Sequence, residues 1–290
     1  MRSARPSHTD GSTAAAAPPI GSALLGEFLG TALLILLGDG VVAGVVLISR
    51  TSDKMMITTA WGLAVALAVY LCGRQSGGHV NPAVTLALAA RGAFPPSRVL
   101  PYWCAQLAGA FAGAMLVYAL YGEAFLAFER DEHIVRGAMV GGKLAGAAAG
   151  GAGVFATYPA FDVTWRNFFC EFVATGVLLV GVRALTDRRN AAPGGYLEPL
   201  ALGALVWAIG LSLGGLTGYA INPARDFGPR LSSAFLGWGT AVFQSHGGYF
   251  WIPIVAPLTG GLAGIFLYDF AVHLNLPPES EPSPPGELSP

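Results

Sequence analysis

The chain has 290 residues, of which 53% are hydrophobic and only 11% charged, and its mean hydropathy is +0.56. An ordinary soluble domain carries about 25% charge, so this composition argues against a soluble enzyme. The 16 basic and 17 acidic residues leave a net charge of -1, without the basic excess that a nucleic-acid partner requires.

Residues 1–20 are mostly Ser, Ala, Pro and Thr and read as a disordered tail. No cleaved signal peptide is expected, because the apolar stretch starts only near Ile20 and is too long for an h-region. Ile20–Ile48 is the first long apolar run, interrupted by Glu27 and Asp39. Met55–Cys72 is the second and Val99–Tyr121 the third, followed by a long loop, Gly122–Trp165. Phe168–Leu185, Leu197–Leu213 and Phe250–Val272 complete a set of six. Each is near the roughly 20 residues that a bilayer core requires. Two further apolar pieces, Pro82–Ala90 and Pro223–Leu231, have nine residues each. As helices they reach about 13 Å, under half of a roughly 30 Å core, and read as re-entrant half-helices. Residues 276–290 form a second tail rich in Pro, Ser and Glu. Cys72, Cys104 and Cys170 lie apart in apolar runs and form neither a disulfide framework nor a metal site.

The chain also repeats itself. Glu27-Phe28-Leu29-Gly30-Thr31 matches Glu171-Phe172-Val173-Ala174-Thr175 at an offset of 144, and Asn81-Pro82-Ala83 matches Asn222-Pro223-Ala224 at an offset of 141. Three spans per half is an odd number, so the second half enters the membrane from the opposite face. The expected fold is an all-α membrane protein: six transmembrane helices plus two re-entrant half-helices in a 3+3 inverted repeat. The channel-like domain spans 21–275, with repeats at about 21–121 and 166–272.

Asn is a preferred N-cap and Pro is favoured at the first helical position. Asn81-Pro82 and Asn222-Pro223 therefore start the half-helices near mid-bilayer. Each helix N-terminus carries roughly half a positive charge, so two of them facing one lumen repel cations. With each Asn oxygen engaged in capping, its NH₂ group is left to donate into the lumen. The segments before them, Gly77-Gly78-His79-Val80 and Thr217-Gly218-Tyr219-Ala220, are non-helical, and their carbonyls are candidate acceptors along the path. Glu27 and Glu171, at matched positions, read as structural supports accepting bonds from their own re-entrant loops. Asp39 has no counterpart in the second repeat and faces either the outer vestibule or a subunit contact. His79 reads as a hydrogen-bonded lining residue. Gly109, Gly113, Gly260 and Gly264 read as sites of close helix crossing. Glu129, Asp131, Glu132 and Asp162 read as a solvated surface.

Over about Ser22 to Val272 the sequence resembles the major intrinsic protein family, the aquaporins and glycerol facilitators. The resemblance rests on Ser76-Gly77-Gly78-His79-Val80-Asn81-Pro82-Ala83-Val84-Thr85 and on Gly218-Tyr219-Ala220-Ile221-Asn222-Pro223-Ala224-Arg225-Asp226-Phe227-Gly228-Pro229. It implies a cell-membrane homotetramer with one pore per subunit and both termini cytoplasmic, a side that clustered Arg183, Arg188 and Arg189 also favour. It places Trp61, Gly210, Tyr219 and Arg225 at the narrowest ring. There Gly210 removes bulk, and Trp61 and Tyr219 form an apolar corner with Arg225 opposite. Asp226, Pro257-Leu258 and Thr157-Tyr158-Pro159 resemble the glycerol-conducting branch. The implied function is passive passage of glycerol, other small neutral solutes and water, with ions and protons excluded, and with no cofactor, metal or catalytic residue. A strict water channel and an ion-coupled secondary transporter are the rival expectations.

Overall fold

The computed structural model describes residues 19–145 and 151–277. Most of both expected tails, residues 1–18 and 278–290, lies outside the described residues. Helix α1 spans Ile20–Ala43 and runs into a wider turn, Gly44–Ile48. Helix α2 is Lys54–Ser76, α3 is Pro82–Ala90 and α4 is Val99–Asp131. A small antiparallel hairpin follows, β1 (Met139–Val140) with β2 (Lys143–Leu144). Then come α5 (Thr164–Thr186), α6 (Glu198–Thr217), α7 (Pro223–Ser233), α8 (Ala241–Gly248) and α9 (Ile252–Ala271). Among the described residues six helices are long and apolar enough to cross a membrane, and the first covers Ile20–Ile48 as expected. The α4 helix runs ten residues beyond Tyr121, into what reads from sequence as loop.

The packing follows the repeat. Helix α1 lies against α2 and α4, and α5 against α6 and α9. The half-helices exchange sides: α3 packs on α9 of the second repeat and α7 on α4 of the first. Helices α2 and α6, the second spans of the two repeats, pack on each other. A Cβ added at Gly62 would lie 2.8 Å from the Gly203 carbonyl oxygen, and one at Gly203 would lie 2.5 Å from that of Gly62. The Gly113 backbone meets the carbonyl of Ala32, as that of Gly264 meets the carbonyl of Gly176. Without a hydrophobic drive between helices in lipid, such close backbone approach is what supplies packing energy.

Glu129 departs from the expected solvated surface, while Asp162 stays exposed. Glu129 is buried and pairs with Arg136 through contacts of 2.9 and 2.7 Å. Asp162 binds Lys143 at 2.9 Å and His246 at 2.6 Å, tying β2 to α8. The added turns of α4 carry Glu129 inward, which a loop would not do.

Candidate functional site

Each half-helix starts at its Asn. The Asn81 side-chain oxygen accepts from the Ala83 N–H at 2.9 Å, and that of Asn222 accepts from Ala224 at 3.0 Å and Arg225 at 3.3 Å. The NH₂ groups are not wholly left to the lumen. Asn81 donates to the Ile221 carbonyl at 2.9 Å, and Asn222 donates to the Val80 carbonyl at 2.7 Å. An amide carries two N–H donors, so each Asn uses one to bind the opposite repeat and keeps one.

The loops leading to these caps are held in costly conformations. Val80 (φ 41°) and Ile221 (φ 44°) are β-branched residues in the left-handed region, and Tyr219 has φ 39°. Two carboxylates fix them. Glu27 accepts from the N–H groups of His79 (3.0 Å) and Val80 (2.7 Å), and Glu171 from those of Ala220 (3.0 Å) and Ile221 (2.9 Å). Gln106, which sequence reasoning does not single out, donates to Glu27 at 2.7 Å and to Thr85 at 3.0 Å. His79 Nδ1 lies 3.1 Å from the Thr85 hydroxyl.

Asp226 is fully buried and does not face the cavity. It accepts from the Thr157 N–H (2.8 Å) and hydroxyl (2.7 Å) and from Arg230 Nε (2.8 Å). Arg230 in turn donates to the carbonyls of Val242 and Thr157. This buried ion pair staples the 151–163 segment to α7. Sequence reasoning names Thr157 and Asp226 separately but not Arg230 as their link.

A cavity of about 270 Å³ runs from Thr186 and Glu198, at the α5–α6 connection, past Asn81 and Asn222 to Trp61, Tyr219 and Arg225. Gly77, Gly78, His79, Val80 and Ala220 line it, as does Ile221. Gly210, Thr217 and Gly218 do not, nor do Pro82, Ala83, Pro223 and Ala224, which are buried behind the caps. The apolar wall, including Val65, Leu178 and Val206, and the acid Glu198 at one mouth are missed by motif reasoning. Their only sequence signal is a place on a spanning helix.

Two features of the four-residue ring differ from expectation. The Arg225 guanidinium does not stand across from Trp61 but stacks on it, 4.2 Å from the ring centroid. The space freed at Gly210 is not open. A Cβ there would lie 2.9 Å from Tyr219 Cζ and 3.0 Å from Thr58 Cγ2. Gly210 thus makes room for the phenol ring, whose buried hydroxyl has no partner among the described residues.

Two half-helices capped at one cavity, each bonded to the other repeat, define a channel-type membrane protein of inverted-repeat architecture. The model of the family described as Major intrinsic protein matches residues 16–268, and the chain belongs to that family. It is 48% identical over 252 residues to the probable glycerol uptake facilitator protein of Thermotoga maritima (86% of this chain, 99% of the relative). It is 45% identical over 258 residues to the glycerol uptake facilitator protein of Haemophilus influenzae (87% and 94%). It is 44% identical over 256 residues to the propanediol uptake facilitator of Salmonella typhimurium (87% and 94%). The X-ray structure of the aquaglyceroporin from Plasmodium falciparum superposes with a TM-score of 0.75 at 30% identity, covering 87% of this chain and 96% of that one. The protein is therefore a multi-pass membrane channel of the passive kind and not an enzyme.

Proposed function

We propose that the protein conducts glycerol and related small uncharged solutes, together with water, and excludes ions and protons. The observation that carries this reading is the mixed ring of Trp61, Tyr219 and Arg225 at one end of a cavity that also holds both Asn caps. A polyol has a hydrocarbon side and a hydroxyl side. Its CH groups lie against the Trp61 and Tyr219 rings, and its hydroxyls meet the guanidinium donors and the carbonyls of Gly77, Gly78, His79 and Ala220. The relatives named for glycerol and for propanediol favour small diols and triols over water alone.

Cations are rejected at the caps. Each half-helix N-terminus carries roughly +0.5 of a charge, and two of them face one path. The remaining N–H of each Asn turns the oxygen of a passing water towards it, which breaks a proton-conducting water chain. No tight site is required, because a channel works best when binding is weak enough to release.

We further infer that residues 21–275 form the channel domain, that four copies assemble with one pore each, and that both termini lie in the cytoplasm of the cell. Arg183, Arg188 and Arg189, clustered at the end of α5, support this orientation. The test is osmotic: proteoliposomes holding the purified protein should shrink in a glycerol gradient and re-swell faster than empty vesicles. Fast water flow without re-swelling would select the strict water channel, and uptake that collapses with a protonophore would select the coupled transporter.

A further inference from the structure

Asp39 lies within α1 and is fully buried, so it faces neither a vestibule nor a subunit contact. Neither of its carboxylate oxygens has a hydrogen-bond partner among the described residues. At the matching place in the second repeat stands Arg183, which is held by Asp269 at 3.4 Å and Asp187 at 3.6 Å. Asp39 is the unmatched member of that pair of positions.

A second buried charge is also unmatched. Arg225 is 8% exposed, and among the described residues its guanidinium makes no ion pair and donates no hydrogen bond. The other buried guanidinium on α7, Arg230, is paired with Asp226 at 2.8 Å. Asp226 makes no bond to Arg225; its oxygens take bonds from Thr157 and Arg230. Trp61 lies against the residue preceding one group and against the other group itself. A Cβ at Gly38, next to Asp39, would lie 2.5 Å from three atoms of the Trp61 ring, and Arg225 stacks on that ring. The backbone beside Asp39 and the Arg225 guanidinium thus both lie against one indole. Unpaired opposite charges in a medium of low dielectric attract strongly, and buried polar atoms without protein partners are ordinarily met by ordered water.

We propose that Asp39 is the counter-charge of Arg225, coupled to it through water at the edge of Trp61, and that it makes the ring electrically neutral. Arg225 then keeps its donors for solute hydroxyls without giving the path a net positive charge that draws in anions. Asp39 acts through Arg225 and is a positioning residue that sets specificity. The inference rests on the reading of the ring as the constriction of the path.

The experiment is nitrate permeability per reconstituted protein, measured in the same vesicles as glycerol flux. Asp39→Asn should raise nitrate permeability about tenfold or more, and Asp39→Glu should restore it. In an Arg225→Gln background the same Asp39→Asn change should produce no rise. Nitrate exclusion unchanged in Asp39→Asn, or an equal rise without Arg225, would overturn the inference. Should Asp39→Asn fail to fold, infrared spectra of aspartate-labelled wild type decide the matter. An ionised Asp39 at neutral pH supports the proposal, and a protonated-acid band that moves in Asp39→Glu overturns it. Absent glycerol flux in wild type would instead sink the functional reading.

Discussion

Asn81 and Asn222 each donate a side-chain N–H to the carbonyl that immediately precedes the other, at 2.9 and 2.7 Å. The two caps are therefore one unit. Each Asn starts its own half-helix and closes the strained turn of the opposite repeat, so neither can be altered without loosening both.

This coupling is separable by isosteric change. Asn81→Asp keeps the capping oxygen and removes the donor to Ile221. The expected loss is more than the roughly 1 kcal/mol of a neutral hydrogen bond, because a buried carboxylate oxygen then faces the Ile221 carbonyl, while Asn81→Ala removes cap and donor together at about 1 kcal/mol each. Thermal unfolding in detergent measures both. Because the bonds are reciprocal, the Asn81→Asp and Asn222→Asp effects should not add. Strict additivity would mean that the caps are independent.

Glu27 and Glu171 each meet two backbone N–H groups with two oxygens. Gln offers one oxygen and turns an NH₂ towards a donor, leaving a buried N–H unsatisfied at about 1–3 kcal/mol. Glu27→Gln should be the harsher change, because Gln106 Nε2 also points at Glu27. Yield of folded protein by size exclusion and solute flux per folded channel report this. Wild-type yield and flux for both variants would refute the supporting role.

The Tyr219 hydroxyl is buried without a partner among the described residues. Tyr219→Phe should therefore leave stability unchanged or raise it, and should leave glycerol flux equal to wild type or higher. A several-fold fall in glycerol flux, with water flow kept, would show instead that the solute uses the hydroxyl.

Gly210 and Tyr219 share one space, so Gly210→Ala alone forces the phenol ring to move. Reduced glycerol flux and lower thermal stability are expected, with about 1–3 kcal/mol for overpacking. In Gly210→His with Tyr219→Cys the ring is vacated before it is filled. Glycerol flux should fall while water flux stays, and stopped-flow light scattering separates the two. Equal loss of both would place the constriction elsewhere.

On the face of the long connection, hydrogen bonds from Lys143 and then His246 hold the Asp162 carboxyl below its ordinary value of 3.8. A depressed acid contributes stability above its ordinary value and loses it as pH falls through the lowered one. The hairpin of β1 and β2 should thus stay closed at neutral pH and loosen only in the strongly acid range, below about pH 4. Hydrogen exchange of residues 139–145 across pH tests this, and Asp162→Asn should loosen them already at pH 7.

The sequence by itself determined what depends on nearby residues. Runs of apolar residues set the six spans by their length, Asn followed by Pro set the start of each half-helix, and the repeated Glu-Phe and Asn-Pro-Ala signals set the inversion. Only the tertiary structure decided what joins residues far apart in the chain. It spent one N–H of each Asn on the other repeat, filled the space at Gly210 with Tyr219, laid Arg225 on Trp61 and carried Glu129 and Asp39 inward. Local propensity and hydropathy report how a segment sits in water or lipid. Partnership across the interior depends on how two separate repeats meet, and no window of neighbouring residues contains that.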